Sequence, residues 1–121
     1  MNIEDLRDFC LSLNGATESF PFGESTLVFK VLGKIFCLMD LEGEFSVNLK
    51  NDPEKIVQMR EEFPAVSPGY HMNKKHWNTV FIDGSIPSEL IREWIVESYE
   101  QVLKGLPVSK KNELRDLYAQ D

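Results

Sequence analysis

The residues best equipped for chemistry lie between Tyr70 and Trp77, in the stretch YHMNKKHW. It holds both histidines of the chain, His71 and His76, the lysine pair Lys74 and Lys75, the amide of Asn73, and the rings of Tyr70 and Trp77. Contact with nucleic acid needs cations for phosphate, amides or hydroxyls for positioning, and a flat ring for stacking. Asn73, Lys74, Lys75, His76 and Trp77 supply all three within one short run. The same residues also fit a solvated loop in which Trp77 anchors the core and the Asn and His side chains tie the backbone. Because Trp77 immediately precedes a strand-like run, its ring is expected to be at least half buried.

Other chemistries find less in the sequence. A metal site needs at least three ligands. His71 and His76 are five residues apart, which suits neither face of one helix, and no cysteine or carboxylate cluster lies beside them. A nucleophilic mechanism needs a Ser or Cys near a base and an orienting group, and no GxSxG turn is present. The expectation is a protein that is not an enzyme, with no catalytic residues, no metal and no cofactor.

Charge sharpens the question. The chain of 121 residues carries a formal net charge of −7, and an acidic protein repels polyphosphate unless its charge is unevenly spread. Here it is uneven: residues 1–66 sum to −6 and residues 83–102 to −4, whereas residues 67–82 sum to +2 and residues 103–121 to +1. The most basic part of the chain is therefore the stretch that bears the Tyr70–Trp77 residues.

The elements that must position this stretch are legible from periodicity. With 42% hydrophobic and 27% charged residues, the composition is that of one globular domain, residues 1–121, large enough to bury its own core. No apolar run approaches the roughly 20 residues of a membrane span. The start, MNIEDLRDFC, lacks the basic and apolar regions of a secretory signal. Cys10 and Cys37 sit in apolar contexts without CxxC spacing, as buried free thiols of a reducing cytoplasm do. Ile3, Leu6, Phe9, Cys10 and Leu13 recur at helical spacing, with Asn2 able to cap and Gly15 to end the helix. After a loop, ATESFPFGES, come three strand candidates: TLVFKVL, KIFCLMDL and FSVNLK. Their short glycine-bearing connections predict an antiparallel meander. Asp52 and Pro53 open a helix closed by Pro64. Ser67-Pro68-Gly69 reads as a turn, and Thr79–Ile82 as a strand. Leu90, Ile91, Trp94, Ile95, Ser98, Tyr99 and Val102 mark the buried stripe of a long helix capped by Ser88, and Ser109 opens a last short one. The order α-β-β-β-α-β-α-α predicts an α+β fold, a mostly antiparallel sheet with helices 2–13 and 88–104 packed on its apolar face.

Several segments in order resemble the MmcQ/YjbR family of small bacterial proteins. YHMNKKHWNTVFIDGSIP (Tyr70–Pro87) is the strongest, with CLSLNGATESFPFG (Cys10–Gly23), FKVLGKIFCLM (Phe29–Met39) and SYEQVLKGLP (Ser98–Pro107). Asn14 stands where the family usually carries Pro, which touches a helix exit and not the candidate site. The resemblance implies a compact α+β domain related to frataxin-like and secretion-chaperone-like architectures. It also implies DNA binding through a double-wing arrangement of sheet and loops, with Tyr70–Trp77 as the characteristic block.

Two functional expectations result. The first is a cytoplasmic protein that contacts DNA or RNA, weakly and without reading sequence, through Tyr70, His71, Asn73, Lys74, Lys75, His76 and Trp77. Lys104, Lys110 and Lys111 join this surface if the fold brings them near. The second is a protein-interaction module with an acidic surface, dimeric or bound to a partner protein, that does not touch nucleic acid. Neither involves a membrane.

Overall fold

Among the described residues, 1–70 and 72–118, the computed structural model contains four helices and six strands. In chain order they are α1 (Ile3–Ser12), β1 (Ala16–Ser19), β2 (Thr26–Val31), β3 (Lys34–Asp40), β4 (Ser46–Lys50), α2 (Pro53–Glu62), β5 (Val66–Pro68), β6 (Trp77–Phe81), α3 (Ser88–Lys104) and α4 (Val108–Tyr118). The strands form one sheet in the order β1-β2-β3-β4-β6-β5, every neighbour antiparallel. The α+β class, the central meander and the helix order agree with the sequence reading.

Period-two alternation sorts the sheet into two faces. Leu27, Phe29 and Val31 of β2, Cys37 and Met39 of β3, Val47 and Leu49 of β4, and Val80 of β6 join one buried core. All four helices feed that same core: Leu6 and Cys10 from α1, Met59 from α2, Ile91, Trp94, Ile95, Tyr99 and Val102 from α3, and Leu114 from α4. Helices 2–13 and 88–104 thus cover the apolar face as expected, and Trp94 and Tyr99 are core residues.

One irregularity parts two of the strands. Phe29 pairs with Cys37 but Lys30 with Ile35, so Phe36 is an extra residue in β3. Such a bulge re-aims side chains, and here Phe36 turns into the helical core, its ring edge-on to Tyr99 at 5.4 Å. It also ends the pairing of β3 with β4 at Cys37↔Leu49. At the next rung a helix side chain bridges the gap. The Ser98 hydroxyl donates to the Phe36 carbonyl at 2.6 Å and accepts from the Lys50 N–H at 2.8 Å. Beyond that point β3 and β4 separate.

Several expectations are corrected. ATESFPFGES is not all loop: Ala16–Ser19 adds an edge strand to β2. Ser67-Pro68 is not a turn but part of β5 on the opposite edge, where proline's missing N–H is harmless. β6 starts at Trp77, two residues before the strand read from sequence. Of the caps, Asn2 performs as expected, its Oδ1 accepting the Asp5 N–H at 2.8 Å. Asp52 stands at the cap of α2 but its side chain makes no capping bond; the Asn51 side chain accepts the Asp52 N–H instead. Pro87 occupies the cap position expected of Ser88, and α4 opens at Val108 rather than Ser109.

Candidate nucleic-acid interface

The segment between β5 and β6 is held by a dense set of bonds. Asn73 makes a tight turn: its carbonyl accepts the N–H groups of His76 and Trp77, and its Oδ1 accepts the Lys75 N–H at 2.8 Å. The half-buried His76 offers its carbonyl to the Asn51 N–H at 2.9 Å. Lys74 folds back, its Nζ donating to the Gly69 carbonyl at 3.0 Å. Gly69 lies so close to Trp77 that a Cβ there would stand 2.9 Å from the Trp77 Cβ and from its carbonyl oxygen. Across the segment reaches Arg60 of α2. Its Nε donates to Asn78 Oδ1 at 2.7 Å and its Nη2 to the carbonyls of Lys74 and Trp77. Asn78 is fully buried and also donates to the Ile56 carbonyl at 3.1 Å. A planar fork of donors suits such a cluster of carbonyl oxygens.

Trp77 is 6% exposed. It is more than half buried, as expected, and at that burial it offers no open face on which a base can stack. Tyr70, at 77% exposed, is the open ring of the segment. Lys74 and Lys75 are exposed. His71 lies outside the described residues.

The sheet face that the helices leave uncovered is graded in charge along the strands. One row crosses it at Thr26, Asp40, Ser46 and Phe81, the next at Val28, Leu38, Asn48, Thr79 and Ser67. A third row carries Lys30, Lys50 and Trp77. The first row opens into a hollow of about 590 Å³ whose walls include Asp40, Glu42, Glu44 and Tyr70. Its polar groups are linked: the Tyr70 N–H donates to Thr79 Oγ1 at 2.9 Å, and the Thr79 hydroxyl donates to Asn48 Oδ1 at 2.7 Å. Asn48 Nδ2 and Ser46 Oγ reach Asp40 Oδ2 at 3.4 Å each.

The third row opens into a hollow of about 540 Å³. It forms where β3 and β4 separate past the bulge, so Val102 and Leu106 of the helical layer reach its floor beside Met72 and Trp77. Lys30, Lys34 and Lys50 line it, and no carboxylate does among the described residues. Lys34 is placed by the β2–β3 turn, whose central residues Leu32 and Gly33 both have positive φ, 50° and 81°, as the tight hairpin twist requires. Tyr70 therefore lines the acidic hollow and Met72 the basic one.

The C-terminal lysines do not join this hollow. Lys104 and Lys111 line a separate one with Glu100, Leu103 and Leu114, and Lys110 pairs with Glu113 at 3.7 Å. The residues that sequence reasoning missed are Lys30, Lys34, Lys50 and Arg60. Lys30 and Lys50 have one sequence signal, the cation on the solvent parity of FKVL and VNLK, which carries meaning only once register sets the strands side by side; Lys34 and Arg60 have none.

The sequence model of the YjbR family matches residues 11–101. The chain belongs to the YjbR family. Two relatives in Escherichia coli bear this out over nearly the whole length. The uncharacterized protein YbdF of strain O157:H7 is 38% identical over 113 residues, covering 93% of this chain and 93% of that protein. The uncharacterized protein YjbR of strain K12 is 33% identical over 118 residues, covering 97% and 100%. A crystal structure of a Deinococcus radiodurans protein with a DUF419 domain superposes with a TM-score of 0.87 at 42% identity, over 93% of this chain and 87% of that one. A Pseudomonas syringae crystal structure gives 0.74 at 25% identity, over 84% and 98%. The YjbR domain here contains no helix long and apolar enough to cross a membrane, and no group of three His, Cys, Asp or Glu placed to hold a metal ion, among the described residues.

Proposed function

We propose that this YjbR-family protein acts by binding rather than catalysis, and that it holds the phosphate backbone of single-stranded nucleic acid in the basic hollow. The observation that carries the reading is the lining by Lys30, Lys34 and Lys50 with no described carboxylate, in a chain whose net charge is −7. Lysines gathered in a concave, partly apolar site focus positive potential despite an acidic whole. Lys75 and Lys74, exposed on the adjoining segment, extend the contact. Tyr70 offers the ring on which an unpaired base can stack, and a duplex hides its base faces. Asn73 and Trp77 serve by shaping the loop. Two free, buried thiols suit a cytoplasmic setting.

The reading is tested by titrating labelled single- and double-stranded oligonucleotides at about 50 mM salt, where few phosphate contacts weigh most. Single strands are expected to bind with a Kd on the order of 10⁻⁴–10⁻⁶ M at physiological salt, the range of binding without sequence readout. Lys30→Ala/Lys34→Ala/Lys50→Ala is expected to flatten log affinity against log salt by about 0.7 per lost contact. Lys74→Ala/Lys75→Ala should do so less, because Lys74 is turned back onto Gly69. Wild type that binds no oligonucleotide at this salt sinks the reading. It would favour the second one, a protein-interaction module, which the acidic hollow lined by the exposed Tyr70, together with the exposed rings of Phe20 and Phe22, supports.

A further inference from the structure

The uncovered sheet face has opposite charges at its two ends. Asp40, Glu42 and Glu44 stand at one end and Lys30 and Lys50 at the other, whereas Lys34, paired with the core residue Val31, belongs to the helix side of the basic hollow. Ser46 and Lys50, at the ends of β4, are four residues apart, about 13 Å at ~3.3 Å per residue. Tyr70, its ring exposed, stands with the acidic end. A surface with this order is complementary to itself under a two-fold rotation: turned by half a revolution, the acidic end of one copy meets the basic end of the other, twice. A two-fold contact of this kind is closed, and needs no second type of patch.

We propose that this face pairs with the same face of a second copy, the acidic hollow of each protomer covering Lys30 and Lys50 of the other. The occupant is set by charge complementarity. Two copies at −7 each repel as wholes, so any attraction must come from a local order such as this one. The proposal goes beyond the nucleic-acid reading and stands apart from it, since it concerns association without oligonucleotide. Where both hold, the two events compete for Lys30 and Lys50. Six strands at ~4.8 Å spacing over a length of about 13 Å make a face of roughly 300 Å², below the roughly 800 Å² per partner of a standard interface, so the dimer is weak and exchanges with monomer. Salt acts in two directions. At about 0.01 M, with a Debye length of ~30 Å, whole-molecule repulsion keeps the copies apart; at about 0.15 M, ~8 Å, only the local pairs remain; at about 1 M, ~3 Å, those are screened too.

A charge exchange tests this by sedimentation equilibrium without oligonucleotide. Lys30→Glu/Lys50→Glu puts acid at both ends, and Glu42→Lys/Glu44→Lys puts base at both. Each alone is expected to weaken self-association by about tenfold or more, since facing like charges cost several kcal/mol. Mixed one to one, the two variants are expected to form a heterodimer at least as tight as wild type, because both contacts are again opposite in sign. A wild type that stays monomeric to millimolar concentration overturns the proposal and leaves the oligonucleotide titration untouched. So do variants that dimerise as well as wild type, and a mixture that fails to pair. Should a reversal unfold the chain, amide shifts of wild type across a dilution series decide instead: residues 30, 40–46 and 50 must move together, and movement confined to the helices overturns the pairing.

Discussion

A guanidinium presents its N–H donors in one rigid plane, and Arg60 aims that plane at three oxygens: the Asn78 amide and the carbonyls of Lys74 and Trp77. Two of these belong to the segment that carries the exposed lysines, so a side chain on α2 holds the start of β6 and the turn before it in one arrangement. Lysine, a point charge on a flexible stem, cannot reproduce the fork. Arg60→Lys is expected to leave at least one of the buried oxygens unpaired and to lower stability by about 1–3 kcal/mol. A lower urea midpoint at unchanged slope is the expected reading, with faster amide exchange at Lys75–Trp77; an unchanged midpoint and exchange would show that water replaces the fork. In the sequence Arg60 is one charged residue on an amphipathic helix. Nothing local distinguishes it from Lys55 or Glu61, because its role depends on a strand that arrives 17 residues later.

Elements longer than a few residues with a regular apolar period are legible in the sequence: β2, β3 and β4 by their apolar content, α1 and α3 by their stripes. The two edge strands are not. Ala16–Ser19 alternates weakly and exposes half its residues, and Val66–Pro68 contains a proline; both are strands because a neighbour offers them a ladder, not because their residues prefer one. The start of β6 is hidden for another reason. Asn78 and Thr79 are polar yet buried, satisfied by Arg60, Ile56 and Asn48, so the apolar signal drops where the strand is most enclosed. Between β5 and β6 the chain must pass against Trp77 with no room for a side chain at Gly69. Gly69→Ala is expected to push the backbone of this turn off Trp77 and to cost about 1–3 kcal/mol, the usual toll of overpacking a tight site. A thermal melt measures it. A melting temperature equal to wild type would show that the β5–β6 connection gives way freely and does not pin the loop.

Across the molecule as a whole, one core joins both layers. Cys10 of α1 and Cys37 of β3 are buried in it from opposite sides, and the hydrogen bond with Cys10, with burial behind it, holds the Cys37 thiol well above the ordinary value. A neutral, enclosed thiol is a poor nucleophile. Neither cysteine is expected to react with a thiol reagent at neutral pH in the native protein, and both should react once it is denatured. Because separating helix from sheet is what uncovers them, the native labelling rate should track global opening and rise in step with urea. Rapid labelling of either thiol without denaturant would mean that α1 detaches on its own.

Local period, turn residues and composition were enough to set the class of the fold, the layer of helices over an antiparallel sheet, the burial of Trp77 and the place of the unusual residues. They also singled out Tyr70–Trp77 as the segment to watch. What surrounds that segment came from the assembled fold. Lys30, Lys34 and Lys50 lie on three different stretches of sequence and become one hollow only through the register of β2, β3 and β4 and the bulge at Phe36 that parts two strands. Charge summed along the chain cannot show this. A sum runs in one dimension, whereas potential is set by distances in three, and pairing strands antiparallel brings residues far apart in sequence within a few ångströms while sending adjacent ones to opposite faces.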